Sequence, residues 1–124
     1  MKIKEIAQKY NLSKDDFWEL KRGTRSMWII THDACEKIAA QENIQFGAPT
    51  IYRDSNQDVA IVGDAKRGNK IIWSTGEAGP KNCKAPYPFA MAEKRLKDRL
   101  VLKLINAYEY GIYSDSEADN FKKQ

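Results

Sequence analysis

The longest periodic segment of the chain is the run that follows Pro88. From Phe89 to Tyr108, leucines 96, 100 and 104 recur at helical spacing, which predicts a helix of about 20 residues with one apolar stripe. Pro88 suits the first turn of a helix, because its φ is already helical and the N–H that it lacks would have no partner there. Gly111 marks the end of the segment. The other predicted elements are arranged around this helix.

The same region carries the strongest charge excess of the chain. Between Lys81 and Lys103 there are seven Lys or Arg residues and two acids, so these 23 residues carry +5 against +4 for the whole chain. Arg95, Arg99 and Lys103 form a basic stripe at spacings of four residues, beside the leucines. This excess, with an isoelectric point near 9.0, favours polyanionic partners.

Length and composition limit the class of protein. A chain of 124 residues with 42% hydrophobic and 31% charged residues is typical of one globular domain. No apolar run approaches the ~18 residues of a membrane-spanning helix, and the N-terminus lacks the apolar core of a signal peptide. Two cysteines without such a signal indicate reduced thiols. We therefore expect a single cytoplasmic domain with no membrane partner.

Two short helices are predicted at the start of the chain. The first covers Ile3 to Tyr10, and the second follows Ser13, which is a plausible N-cap. Together they would form a helical extension over residues 1–22.

A short strand and a further helix are predicted next. The strand covers Ser26 to Ile30, and the helix runs from His32 to about Gln41 behind Thr31 as its N-cap.

Three strand candidates then precede the long helix. They cover Thr50–Arg53, Val59–Ala65 and Lys70–Thr75. Val59 and Ile61, and likewise Ile71 and Trp73, alternate with smaller or polar residues, which indicates an antiparallel meander with one face buried under a helix.

The predicted class is therefore α+β. A three-stranded antiparallel meander packed by the long helix would form a β-β-β-α core over residues 26–108, preceded by the short N-terminal helices. Ser114 to Glu117 reads as a capping box that begins a short acidic C-terminal helix over residues 112–124.

Basic residues interleaved with aromatic residues indicate a nucleic-acid surface. A cationic groove with aromatic stacking planes holds single strands without reading their bases. The alternative that the pattern leaves open is a solvated basic helix face with the aromatic residues in the core. The candidate nucleic-acid-binding residues are Lys66, Arg67, Lys70, Trp73, Lys81, Lys84, Tyr87, Arg95, Arg99 and Lys103.

Two other kinds of function compete with DNA binding. The tripeptide Asp64-Ala65-Lys66, with Asp58 and Glu77 near strand ends, matches the acid-x-Lys pattern of a Mg²⁺-dependent nuclease. A protein-interaction module would instead use the basic helix to dock an acidic partner. His32 and Cys35 share a helical face, but without a Cys-x-x-Cys pair or clustered acids we expect no metal and no cofactor.

The order of these elements resembles a known family. The run from Ala90 to Leu104 is similar to the signature helix of single-strand annealing recombinases, the Rad-fifty-two-type proteins and their phage relatives. The segment from His32 to Gly47 resembles the helix before the sheet in that family, and Tyr113 to Phe121 resembles the ending of phage members. One departure is that Val101 and Leu102 stand where the family commonly has a Lys-Arg pair.

The resemblance covers roughly residues 28–121. It implies a β-β-β-α core and assembly of identical subunits into a ring or filament. It also implies binding of single-stranded DNA in a basic groove, and ATP-independent annealing of complementary strands in phage or bacterial homologous recombination.

Overall fold

The computed structural model describes residues 2–55, 58–80 and 87–117 and shows a mixed α+β fold, which confirms the predicted class. No helix within these ranges is long and apolar enough to cross a membrane. The elements in chain order are α1 (Lys2–Lys9), β1 (Phe17–Arg22), β2 (Arg25–Ile30), α2 (His32–Gln41), β3 (Gln45–Phe46), β4 (Thr50–Ser55), β5 (Asp58–Arg67), β6 (Lys70–Ala78), α3 (Pro88–Leu104) and β7 (Ile112–Ser114).

The larger sheet is built around β5. Strand β6 pairs antiparallel along one side of β5, while β4 and then the short β3 pair antiparallel along the other side. Gly68, at φ +59°, supplies the left-handed turn between β5 and β6. The three predicted strands are present and longer than expected, but β3 adds a fourth, so the sheet is not the simple three-stranded meander.

The smaller sheet was not predicted. Strands β1 and β2 form an antiparallel hairpin over Gly23, and β7 joins β2 in parallel. The predicted second N-terminal helix is therefore wrong. Its proposed cap, Ser13, instead donates its N–H to the Asp16 carboxylate in a local turn, and the Phe17 ring meets Trp28 edge-on across the hairpin at 5.8 Å. Of the expected helical extension, α1 alone is helical among the described residues.

Helix α2 begins after Thr31 as predicted. The Thr31 hydroxyl accepts from the Ala34 N–H at 3.0 Å.

Helix α3 lies between the two sheets. It packs on β5 and β6 with one side and on α2 and β7 with another. The predicted stripe of Leu96, Leu100 and Leu104 is buried, and so are Val101 and Leu102. The helix ends at Leu104, earlier than expected, because Asn106 takes a left-handed conformation and the chain continues in a 3₁₀ turn, Ala107–Tyr110.

Glycine allows α3 to approach β6 closely. A Cβ built on Gly76 would lie 2.1 Å from the backbone oxygen of Ala92 and 2.8 Å from the Leu96 Cβ. The inward face of β6 is accordingly made of small residues at this crossing, and Ile71 and Trp73 point to the opposite face, where they are largely exposed. The prediction that Ile71 and Trp73 share the buried face with Val59 and Ile61 is therefore wrong.

Candidate nucleic-acid interface

The basic stripe of α3 lies along the free edge of β6. Arg95 Nη1 donates to the Glu77 carbonyl at 2.9 Å, Arg99 Nη1 to the Thr75 carbonyl at 2.9 Å, and Lys103 Nζ to the Trp73 carbonyl at 3.3 Å. Four residues of helix rise roughly 6 Å, and two residues of strand span roughly 6.6 Å, so the spacings match. We call this set of contacts the edge ladder. The edge ladder gives hydrogen-bond donors to alternate carbonyls of β6. In the described part of the chain, no other strand pairs with this edge of β6.

The two arginines of the edge ladder make their polar contacts within the protein. Arg95 is 1% exposed, and its Nε also donates to the Ser116 carbonyl at 2.7 Å. Arg99 forms ion pairs with Glu77 at 2.8 Å and Glu117 at 2.5 Å. Burial opposes its charge, but the hydrogen bonds that Arg99 donates to these carboxylates keep its pKa above the ordinary value. Arg95 and Arg99 are thus engaged within the protein, which argues against the predicted phosphate contacts and against a docking helix built on these two arginines.

The residues of the predicted C-terminal capping box also make other contacts than expected. Ser114 Oγ accepts from the Ser116 N–H at 3.0 Å, and the chain forms a 3₁₀ turn, Asp115–Glu117. The Glu117 carboxylate binds Arg99 instead of closing a capping box. Residues 118–124 of the predicted acidic helix lie outside the described residues.

Four of the predicted binding residues meet at one end of the β5–β6 pair. Trp73 is 66% exposed on the outward face of the sheet, next to Ile71, which is 64% exposed. Lys66 lies directly across from Ile71, and Lys70 is exposed beside the hairpin turn. The Lys103 ammonium stands 5.9 Å from the centre of the Trp73 ring. We call Lys66, Lys70, Ile71, Trp73 and Lys103 the Trp73 cluster.

The charge around Trp73 favours an anion. The three lysines of the Trp73 cluster contribute +3, from Lys66 on the outward face, Lys103 at the strand edge and Lys70 at the hairpin end, and exposed Asp64 across from Trp73 contributes −1, leaving +2. Ile71 was predicted to be buried, so its place in the cluster could not be read from the sequence.

The remaining predicted residues lie elsewhere. Arg67 turns to the inner side, where it donates to the Leu104 carbonyl at 2.9 Å and approaches Glu42 at 3.4 Å. Tyr87 is 59% exposed, but it precedes α3 and so stands about 24 Å along the helix from Lys103. Lys81 and Lys84 lie outside the described residues.

The residues of the nuclease hypothesis are not brought together. Asp58 and Asp64 are six residues apart on β5, roughly 20 Å. Asp58 pairs with Arg53 at 3.0 Å, and Glu77 is held by Arg99, whose hydrogen bond lowers the pKa of Glu77. Within the described ranges, no three His, Cys, Asp or Glu side chains are grouped to hold a metal ion.

A buried polar network was missed by the sequence analysis. His32 Nδ1 lies 2.6 Å from Asp98 Oδ1, and His32 Nε2 lies 2.8 Å from Glu36 Oε1. Asp98 is fully buried and accepts a second hydrogen bond from the Ser114 hydroxyl at 2.5 Å. Because the two carboxylates meet opposite ring nitrogens of His32, they do not converge on a common metal position. The sequence feature that could have indicated this network is Asp98, an aspartate among the leucines of the predicted long helix.

Cys35 borders the same network and is 1% exposed, as expected of a structural cysteine. Burial raises the pKa of its thiol well above the ordinary value. The thiolate form, which is the nucleophile, is therefore suppressed.

Comparison with known proteins gives no relative. No protein family, no curated protein and no solved structure matches the chain.

Proposed function

We propose that this protein binds single-stranded DNA on the Trp73 cluster and anneals complementary strands without ATP, as a homo-oligomer. The observation that carries the proposal is the exposure of Trp73, at 66%, on a sheet face that no other described element covers. Lys66 shares that face, Lys103 stands at the strand edge beside the Trp73 ring, and Lys70 lies at the hairpin end of the same strand. An aromatic face among cations offers one base a stacking plane and its flanking phosphates a counter-charge.

The exposed pair of Trp73 and Ile71 supports a binding role for this face. Large apolar side chains that lie side by side in water lose the free energy that burial would supply. The local structure also presents the tryptophan at a fixed position, since its carbonyl is held by Lys103 and its strand pairs with β5 along its whole length. A preorganised platform of this kind binds with a smaller entropic cost.

Assembly of identical subunits is the second part of the proposal, and β4 supports it. All six residues of β4 are exposed, including Ile51 at 58% and Tyr52 at 77%. The edge ladder closes the β6 edge of the sheet, whereas no strand of the described residues pairs with the outer edge of β4, so a strand of another subunit can join there. Subunits joined there would present successive Trp73 clusters to one strand, with the base edges directed to a complement.

The binding site is tested by replacing Trp73. Loss of one stacked base costs about 1–3 kcal/mol, so Trp73→Ala should weaken the binding of a short single-stranded oligonucleotide by roughly 5- to 150-fold in fluorescence anisotropy. Trp18→Ala is the matched control, because Trp18 is a 40% exposed tryptophan on the smaller sheet. Equal losses in the two variants, or no loss in Trp73→Ala, would contradict the placement of the site.

The phosphate contacts of the lysines are tested by the salt dependence of binding. Each phosphate contact contributes about −0.7 to the slope of log K against log salt for a single strand. Lys66→Ala combined with Lys70→Ala should therefore reduce the magnitude of the slope by about 1.4. An unchanged slope would show that the phosphates lie elsewhere on the molecule.

A further inference from the structure

A cavity lined by both apolar and polar side chains lies between α2, α3 and β3. Its volume is about 320 Å³, within the range of small-molecule sites in proteins. Ala39, Ala40, Ile44 and Val101 form an apolar wall. Polar groups stand around it: the His32–Glu36 pair on α2, and Lys97 and Asp98 on α3. The Phe46 ring on β3 completes the lining.

The position of β3 links this cavity to the Trp73 cluster. Gln45 lies across from Lys66, and Phe46 lies across from Ala65. Because neighbouring residues of a strand point to opposite faces, Phe46 faces the cavity on the inner side while Gln45 shares the outward side with Lys66. The cavity and the Trp73 cluster therefore lie on opposite faces of the sheet, with Lys66 on β5 one strand spacing, about 4.8 Å, from β3. A strand held by the cluster reaches the cavity by passing around β3.

The chemistry of the lining fits a flat heteroaromatic ring. Phe46 is 36% exposed and offers a stacking plane, with the Lys97 ammonium 5.6 Å from its centre. The small side chains of Ala39 and Ala40 leave a slot beside that plane. Glu36 uses Oε1 toward His32, and a carboxylate has a second oxygen that can accept from an amino group. Lys97 can donate to a ring carbonyl.

We propose that this cavity binds one nucleobase carrying an exocyclic amino group, extruded from the strand that the Trp73 cluster holds. The inference rests on the proposed single-strand binding. An acceptor carboxylate beside a donor ammonium favours adenine, cytosine or guanine over thymine, since thymine has no amino group to give to Glu36. The same ring could also reach the cavity as a free nucleoside.

The test fills the cavity without disturbing the Trp73 cluster. Ala40 is an exposed helical residue at the cavity wall, so Ala40→Trp occupies the slot from the rim. Gln8→Trp, on the exposed side of α1, is the matched control. Anisotropy is measured with oligocytidine and oligothymidine strands and with an abasic strand of equal length, and NMR follows free cytidine. Phe46→Leu, which removes the ring and keeps an apolar side chain, is the second variant if Ala40→Trp does not fold.

The expected result is base-dependent. Wild-type protein should bind oligocytidine several-fold more tightly than oligothymidine. Ala40→Trp should weaken oligocytidine binding roughly tenfold, the loss of about one stacked base, with no change for the abasic strand. Cytidine should shift the His32 and Phe46 resonances of the wild type and not those of Ala40→Trp.

Three results separate the two proposals. Equal oligocytidine affinity in Ala40→Trp and wild type, with no cytidine shifts, overturns the base cavity and leaves the Trp73 cluster standing. If wild type binds no strand, but cytidine shifts appear and Ala40→Trp abolishes them, the single-strand proposal fails and the cavity is a nucleoside site. If wild type binds neither strand nor cytidine, both are wrong.

Discussion

At the scale of single residues, Asp98 joins three parts of the fold. Its carboxylate is fully buried on α3, and it binds His32 at the start of α2 and Ser114 at the end of β7. A buried charge without partners costs several kcal/mol, so a carboxylate in this position requires both contacts. The network therefore fixes how α2, α3 and β7 meet, and loss of either partner should loosen that junction.

His32 gives this network a dependence on pH. The hydrogen bond that His32 donates to Asp98 raises the pKa of His32, burial opposes the rise, and the charges of Asp98 and Glu36 add to it. Nearby, the buried Cys35 thiol and Asp115, which accepts from the His32 backbone N–H, also have raised pKa values, chiefly through burial. Because the folded chain holds the His32 proton more tightly than the unfolded chain, protonation stabilises the fold. This stabilisation is complete below the ordinary histidine pKa of about 6.5 and is lost as pH rises through the higher folded-state value.

We predict that the free energy of unfolding decreases as pH rises above about 6.5 and through the higher folded-state pKa of His32, and that His32→Gln removes most of that decrease. The chain has one histidine, so a single imidazole signal in an NMR titration reports the pKa directly. Asp98→Asn should bring that pKa down. A folded-state pKa at or below 6.5 in the wild type would contradict the charge-assisted contact.

At the scale of elements, the sequence identified the basic stripe of α3 but not what it contacts. Periodicity shows which residues share a helix face, and Arg95, Arg99 and Lys103 do share one. It does not show whether that face meets water, a phosphate or the carbonyls of a strand. The answer depended on Gly76, which lets α3 approach β6 until the basic side chains reach the strand edge. The third predicted strand ends at Thr75, so the contact between Gly76 and α3 does not follow from the sequence.

Gly76→Ala should therefore destabilise the protein strongly. The new Cβ would lie 2.1 Å from the Ala92 backbone oxygen, and backbone cannot move aside as a side chain can. Overpacking of this kind costs typically 1–3 kcal/mol or more, and we expect about 3 kcal/mol in urea denaturation. Gly63→Ala is the matched control on β5: its Cβ would meet a methyl of Leu96 at 2.9 Å, which can rotate away. A smaller loss in Gly76→Ala than in Gly63→Ala would show that the crossing is looser than described.

At the scale of the whole molecule, local elements were more predictable than their pairing. The long helix, α2 with its Thr31 cap and three of the four strands of the larger sheet follow from spacing and turn residues. The smaller sheet does not, because β2 pairs with β7 from Trp28 to Ile112, far apart in the chain, and no local pattern encodes that contact. Phe17 to Arg22 was also ambiguous, since its apolar residues fit a helical face as well as a strand.

The same limit applies to the candidate site. Lys66, Lys70, Trp73 and Lys103 are predicted to bind nucleic acid from residue type and spacing. That they form one cluster follows only from the β5–β6 register and from the direction of α3 along β6. Ile71 and the His32–Asp98 network were missed because their surroundings depend on the packing of α3 between two sheets.

Assembly is the property of the whole molecule that the proposed annealing requires. If subunits join through β4, a charge placed at its exposed apolar residue should block the contact, since edge lysines oppose strand addition. Ile51→Lys should therefore shift the mass in light scattering toward the monomer and slow the ATP-independent annealing of complementary oligonucleotides at least tenfold. Binding of one short strand should stay within twofold of wild type, because the Trp73 cluster is intact. Ile51→Val, which keeps the apolar surface, should behave as wild type. A monomeric wild type that anneals at the full rate would contradict the link between assembly and annealing, and an assembled Ile51→Lys would place the subunit contact away from β4.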